Sequence, residues 1–541
     1  MSSYDATIRS ADMDSATRKL LAAILPKVPL MARVVLMHSF SLTTPSRYLS
    51  LRSELIVAVL RSFLQPSVLK PISSTQKLTM RDPGIKGKMW VAKTSSPEIE
   101  TIEADSINSV VRGAIDDMLE PGAPKPCQTG FRMPDIMPVE AEWTGFRSDA
   151  SSDSVMPNIP EDEKFGKLME ETMTKTTILY FHGGAYYLLD PCTHRPHTAR
   201  LARMTGGRVY SVRYRLSPQH PFPAALIDGL VSYLTLLYPP EGSLHDPVDP
   251  SNLAFAGDSA GGNLCLALLQ LLLQLRQPAG SGEATIRWQG RDVPLPLPAC
   301  VAVNSPWLDI TQSSPSWEDP EIQLFDYLPP SSVAKDKAPP PCAAWPADPP
   351  REHIYSPDSV LAHPLVSLVM AKSWAGAPPV WMCTGWERLA SEDRWFTRKL
   401  AGDGVQVRLE QYEAMPHCFA MVLGGIPEGK RCFEGWAGFI SEHVVGKTGG
   451  GKRERMPEAQ IKDDKSMSRS GSQGPDETAV PVPVPVPGET RFKTVKAKSL
   501  REVDIPTDEL TTMSEDEMRE RVWRRVCEMA PAMSREKGAK L

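Results

Sequence analysis

No Cys-x-x-Cys pair occurs in this chain, and its 9 cysteines are scattered and odd in number. Zinc-ribbon spacing and a disulfide framework are therefore not expected, and the pattern fits a reducing compartment. Neither charge dominates: 60 basic and 65 acidic side chains leave a net charge of −5, which offers no electrostatic footprint for nucleic acid. Long apolar runs are missing too. Leu20–Leu42 comes nearest, but Pro26, Lys27, Pro29, Arg33 and His38 interrupt it, whereas a spanning helix needs about 20 mostly uncharged residues. Two readings of that stretch stay open: it lies on a lipid surface, or it covers an active site. Met1–Ala16 is polar and has no apolar stretch, so no secretory leader is expected. The expectation is a cytoplasmic, non-secreted protein, with peripheral contact to a lipid surface left open.

Proline is abundant, at 52 of 541 residues, and hydrophobic residues make up 41%. A large core is affordable in area terms, with long irregular stretches around it. Leu20, Leu21, Ile24 and Leu25, then Leu55–Leu64, predict helices within residues 1–75. Strands are expected at Gly87–Ala92 and Val139–Phe146, with a polar, proline-containing connection between them. Further strands are expected at Thr176–Phe181, Arg208–Tyr214, Asn252–Gly257, Cys300–Asn304, Pro379–Thr384 and Val405–Tyr412. Helical patterns lie between them at His194–Thr205, Pro221–Leu237, Asn263–Leu275 and Asp393–Leu400, with another at Arg431–Val444. Strands alternating with helices imply a mostly parallel sheet covered on both faces.

Ser313–Pro350, rich in Pro, Ser and Asp, reads as an inserted loop. After residue 445 the composition turns to Gly, Lys and Ser and then to a Pro-Val repeat at Val480–Pro487, the signature of an extended linker. A final amphipathic helix is expected over residues 514–530, with Ser514 and Glu517 as a capping box and Met518, Val522, Val526 and Met529 as its apolar stripe.

Three short stretches carry the chemistry. Ala256-Gly257-Asp258-Ser259-Ala260-Gly261-Gly262 stands between an expected strand and an expected helix, the context of a nucleophile elbow. Side chains at Gly257 and Gly261 would collide with the backbone of so sharp a turn. The turn exposes Ser259 Oγ and aims the Ala260 amide at the reacting carbonyl. A serine hydroxyl is a weak nucleophile, so a base must lie within hydrogen-bond reach. His417, in the loop after the last expected strand, is the best candidate of 10 histidines. Its orienting acid is expected to be Glu387, at the end of the preceding strand, with Asp393 as the rival. The order Ser259…Glu387…His417 is that of α/β-hydrolases and differs from trypsin-like and subtilisin-like enzymes. His182-Gly183-Gly184-Ala185 also follows a strand, and the amides of Gly183, Gly184 and Ala260 are expected to form a three-donor oxyanion hole. Glycine is expected at 183 and 184 because side chains there would bar substrate from the amides. His182 is read as a hydrogen-bonder that shapes this loop. Tyr186 and Tyr187 are read as pocket-lining or core residues, with neither role preferred.

Over about residues 80–445 the chain resembles the hormone-sensitive lipase family of α/β-hydrolases, with fungal steryl-acetyl-hydrolase-like esterases as a nearer neighbourhood. The resemblance rests on His182–Ala185, on Gly257–Gly262, and on Tyr214-Arg215-Leu216-Ser217-Pro218-Gln219-His220-Pro221-Phe222-Pro223-Ala224-Ala225. Ser305–Asp309 and His363–Ser367 also look like family segments. It implies Ser259 as nucleophile, His417 as base and an N-terminal helical cap. Two departures stand out: Glu387 and Ser391 occupy positions where the family has Asp, and Gln219 replaces its usual Glu, which puts a structural hydrogen bond in doubt.

The expectation is an α/β-hydrolase fold with a helical cap at 1–75 and a catalytic domain at 76–445 carrying an insertion at 313–350. A disordered tail is expected at 446–541. Its expected work is hydrolysis of small carboxylic esters by a serine nucleophile, without metal or organic cofactor. Acyl transfer or amide hydrolysis in a biosynthetic route and a non-catalytic receptor remain as alternatives, and the oligomeric state is open.

Overall fold

A computed structural model describes residues 24–65, 69–119, 132–276, 285–332, 339–444 and 489–529. Its centre is a ten-stranded sheet in the order β1-β2-β4-β3-β5-β8-β9-β10-β11-β12. The strands are β1 Met89–Ser95, β2 Glu140–Phe146, β3 Thr177–Phe181, β4 Arg208–Val212, β5 Leu253–Asp258, β8 Cys300–Asn304, β9 Val380–Thr384 and β10 Val407–Tyr412, followed by β11 Arg491–Val495 and β12 Glu502–Asp504. A separate hairpin pairs β6 Thr285–Trp288 with β7 Arg291–Pro294. Pairing is parallel from β4 through β11 and antiparallel at both margins.

Two-residue alternation decides which face each side chain joins. In β3, Leu179 and Phe181 enter one core, shared with the helices Ala224–Leu237, Ala260–Leu275 and Ala390–Gly402. Ile178 and Tyr180 enter the other, shared with Pro191–Thr205 and Pro427–Val444. Both faces are covered, so the central strands are apolar throughout. The fold is the α/β-hydrolase fold.

Four segments depart from the expected outline. The connection after β1 holds a helix, Thr101–Asp117, whose Ile107, Val111, Ala114 and Ile115 are buried. A second unforeseen helix, Glu161–Glu170, covers β1 and β2 through Phe165 and Leu168. The insertion at 313–350 contains a short helix, Ile322–Phe325, and buries Trp317, Phe325, Asp326 and Tyr327. Beyond the expected domain end at 445, residues 491–504 add β11 and β12 to the sheet, where only linker and one helix were expected. That helix spans Glu515–Met529 and buries Met518, Val522 and Val526, with Ser514 Oγ accepting the Glu517 amide at 3.1 Å. The linker stretches 447–475 and 480–487 lie outside the described residues, as do Met1–Ala16.

The N-terminal helices run at Val28–Ser39, Thr44–Tyr48, Leu51–Leu64 and Ile72–Thr79. Among the described residues, no helix is long and apolar enough to cross a membrane.

Candidate active site

The elbow follows β5 directly. Ser259 has φ 52° and ψ −120°, a left-handed backbone that a non-glycine residue adopts only where its surroundings impose it. Three backbone hydrogen bonds impose it here, each 3.0 Å: the Ser259 amide donates to Asn304 O, and Ser259 O accepts from the Trp307 and Asn263 amides. Glycine is required on either side. A Cβ at Gly257 would lie 2.6 Å from Gly261 O and 2.7 Å from Phe181 O, and one at Gly261 would strike Phe181 O.

His417 and Glu387 reach the same edge of the sheet from the loops after β10 and β9. His417 Nε2 lies 3.0 Å from Ser259 Oγ, and His417 Nδ1 lies 2.8 Å from Glu387 Oε2. The imidazole is therefore placed to donate from Nδ1 to the carboxylate and accept from the serine hydroxyl at Nε2. Glu387 is fully buried. Burial alone would raise its carboxyl, but the His417 charge and hydrogen bonds from His417, Ser305 and Thr384 bring it below the ordinary glutamate value. For His417, burial opposes protonation, yet the charge and hydrogen bond of Glu387 lift the imidazole above its usual value. Asp393 lies inside the helix Ala390–Gly402, where burial beside Glu387 and Glu392 holds its carboxyl well above the carboxylate range.

The loop after β3 packs against the elbow. A Cβ at Gly183 would strike the Asp258 carboxylate, and one at Gly184 (φ 110°) would strike Leu188 O. Glycine at 183 and 184 thus has a second reason besides access to the amides: contact with the elbow at 183 and a left-handed backbone at 184. His182 is buried, stacks on Tyr214 at 4.4 Å and donates from Nδ1 to Gly183 O at 2.7 Å. Burial, reinforced by nearby His194, lowers its pKa to about 4, so it stays neutral and shapes the loop. Asp258 accepts the Tyr180 hydroxyl at 2.6 Å; although burial opposes ionisation, His194 and that hydroxyl hold its carboxyl at about 2. Tyr186 is a packing residue, its hydroxyl donating to Asn263 Oδ1 at 2.6 Å and its ring stacked 3.6 Å from Tyr355. Tyr187 joins a small cluster with Ile72, Trp345 and Ala347. Gln219 keeps a structural bond despite its departure from the family: it exchanges amide hydrogen bonds of 2.8 and 3.1 Å with Gln76, which fastens the helix Ile72–Thr79.

Asp326 was not anticipated, because it sits in the stretch read as a loop. Its carboxylate is fully buried and accepts the His417 amide at 3.1 Å and the Arg388 amide at 2.8 Å. It thus ties together the loops that carry His417 and Glu387. Next to it, the Tyr327 hydroxyl donates to His417 O at 2.6 Å. The only signal in the sequence was an Asp-Tyr pair among apolar residues inside a proline-rich segment. No group of metal-ligating side chains able to hold an ion occurs among the described residues.

Residues 178–421 match the family described as alpha/beta hydrolase fold, a stretch that includes the elbow and the strands from β4 to β10. An acetyl-hydrolase of Streptomyces hygroscopicus is 29% identical over 267 residues, which is 49% of this chain and 75% of the relative. An esterase of Acinetobacter venetianus is 28% identical over 265 residues, 49% of this chain and 74% of its own. Lipase 2 of a Moraxella species matches at 28% over 46% of this chain and 55% of its own length. Among solved structures, an esterase from the bacterial hormone-sensitive lipase family superposes with a TM-score of 0.41 at 24% identity, covering 64% of this chain and 99% of that one. The curated relatives named here are thus an acetyl-hydrolase, an esterase and a lipase.

Proposed function

We propose that this chain hydrolyses small carboxylic esters with Ser259 as nucleophile, His417 as general base and acid, and Glu387 as the orienting carboxylate. The observation that carries the reading is the continuous relay from Ser259 Oγ to His417 Nε2 at 3.0 Å and from His417 Nδ1 to Glu387 at 2.8 Å. Ser259 Oγ attacks the ester carbonyl while His417 Nε2 takes its proton. The amides of Gly183, Gly184 and Ala260 receive the charge that develops on the carbonyl oxygen. His417 then returns the proton to the leaving alcohol, and water activated by the same imidazole releases the acyl group. Glu387 stays ionised throughout and stabilises the transient imidazolium.

The test is hydrolysis of p-nitrophenyl acetate, butyrate and decanoate by the wild type and Ser259→Ala. The variant is expected to lose at least about 10³-fold in kcat. Equal activity in both proteins would remove Ser259 as nucleophile. Inactivity of both would favour a receptor or a specialised acyl acceptor, which labelling of Ser259 by a fluorophosphonate separates.

A further inference from the structure

The helices before residue 65 present an apolar face that the rest of the described chain does not cover. The helix Val28–Ser39 buries none of its residues. Leu36, Phe40 and Leu42 are 58%, 67% and 64% exposed, and Leu25, Val28 and Phe63 are exposed as well. Clusters of this kind on a polypeptide surface mark interaction sites. Lys27 connects the two sides of this face: its Nζ donates to Ser62 O at 3.2 Å and sits 5.3 Å from the Phe63 ring centroid.

Charge indicates what the face fits. Residues 25–65 carry five cations and a single acid, Glu54, in a chain whose net charge is −5; Arg33, Arg47 and Arg52 are exposed, while Lys27 and Arg61 are bonded to Ser62 O and Asp326 O. Glu54 is buried and already engaged by His38 Nδ1 and the Thr43 hydroxyl. A second copy of the chain would set these cations against one another. Exposed apolar side chains interspersed with Arg and Lys on short helices suit an interface of acyl chains and anionic headgroups.

The face also stands over the site. Arg61 donates through Nε and Nη2 to Asp326 O at 2.9 and 2.8 Å, and the Tyr48 ring packs 5.8 Å from Phe325 and 5.2 Å from Trp386, the neighbour of Glu387. We propose that the cationic apolar face of residues 25–64 docks on an anionic lipid surface, with the acid and base loops directly beneath the docking helices. Delivery of an apolar ester from that surface would rest on the ester-hydrolase reading; the docking itself does not.

The experiment is co-sedimentation of the full chain, carrying Ser259→Ala so that no lipid is turned over, with phosphatidylcholine vesicles with and without phosphatidylserine. Binding is expected to be at least about tenfold stronger with phosphatidylserine and to weaken as salt screens the charges. Leu36→Gln combined with Phe40→Gln is expected to lose about tenfold on both vesicles, since acyl insertion is lost. Arg33→Gln is expected to lose mainly the preference for phosphatidylserine. All of these side chains are exposed, so unchanged thermal melts separate lost docking from lost folding. The proposal is overturned if neither vesicle sediments the protein, or if the double variant binds as well as its parent. It is equally overturned if light scattering without lipid shows a dimer that the double variant abolishes, or if only a chain lacking residues 2–23 binds, because the face is then covered by a second copy or by that segment.

Discussion

At the scale of single residues, the site turns on how charge is managed in a buried place. Glu387 contributes most to raising the His417 pKa, ahead of Asp326 and Asp258, and in the proposed mechanism His417 must be neutral to accept the serine proton. Activity is therefore expected to fall as pH drops through the raised His417 value, with the acid limb of kcat/KM above the ordinary imidazole range. Glu387→Gln removes the charge that favours the imidazolium, so the limb should move toward lower pH while kcat falls by about 10²–10⁴-fold. A pH–rate profile of both proteins checks the sign; a limb that stays in place would detach Glu387 from the base. Asp326 acts one step back. Its two oxygens accept the amides of His417 and Arg388, and an amide in its place can keep only one of those bonds while turning an NH₂ toward the other donor. Asp326→Asn is expected to cost about 1.5–3 kcal/mol of stability, seen as a lower Tm, and to reduce kcat more than KM. A variant with unaltered Tm and kcat would show that the two loops hold their places without it.

At the scale of elements, the informative cases are those where pattern and surroundings disagree. The sheet core was legible because Ile178–Phe181, Ala254–Ala256 and Val301–Val303 are buried on both faces and must be apolar whichever way they point. The helix Thr101–Asp117 carried a readable signal in Ile107, Val111, Ala114 and Ile115, at spacings of four, seven and eight. The polar, proline-containing stretch around it masks that signal. β11 and β12 had no such signal: β12 is exposed along its length, and in β11 only Phe492 and Val495 are buried. They form because β10 offers an unsatisfied backbone edge that β11 takes up from Arg408 to Tyr412. Removing residues 489–529 is expected to lower Tm by several degrees and to promote aggregation, since it bares the β10 edge and the surface now covered by Met518, Val522 and Val526. Light scattering during a thermal melt would show it; a truncated chain as stable and monodisperse as the whole would reduce the segment to an appendage.

At the scale of the whole molecule, the N-terminal helices, the segment around Asp326 and the sheet meet over one loop cluster. Arg61 of the helix Leu51–Leu64 grips the Asp326 backbone, Asp326 grips the loops after β9 and β10, and those loops hold Glu387 and His417. The sequence by itself determined the elbow, the loop His182–Ala185 and the order Ser259…Glu387…His417. Each depends on local constraints: a turn only glycine can make, a strand that must be apolar, a residue at a strand's end. Tertiary structure alone decided that Gly183 packs against Asp258 and that Asp326 ties together the loops of His417 and Glu387. Those outcomes depend on which segments, tens to hundreds of residues apart, pack together, and burial and electrostatic pairing at such contacts leave no periodicity in the chain to read.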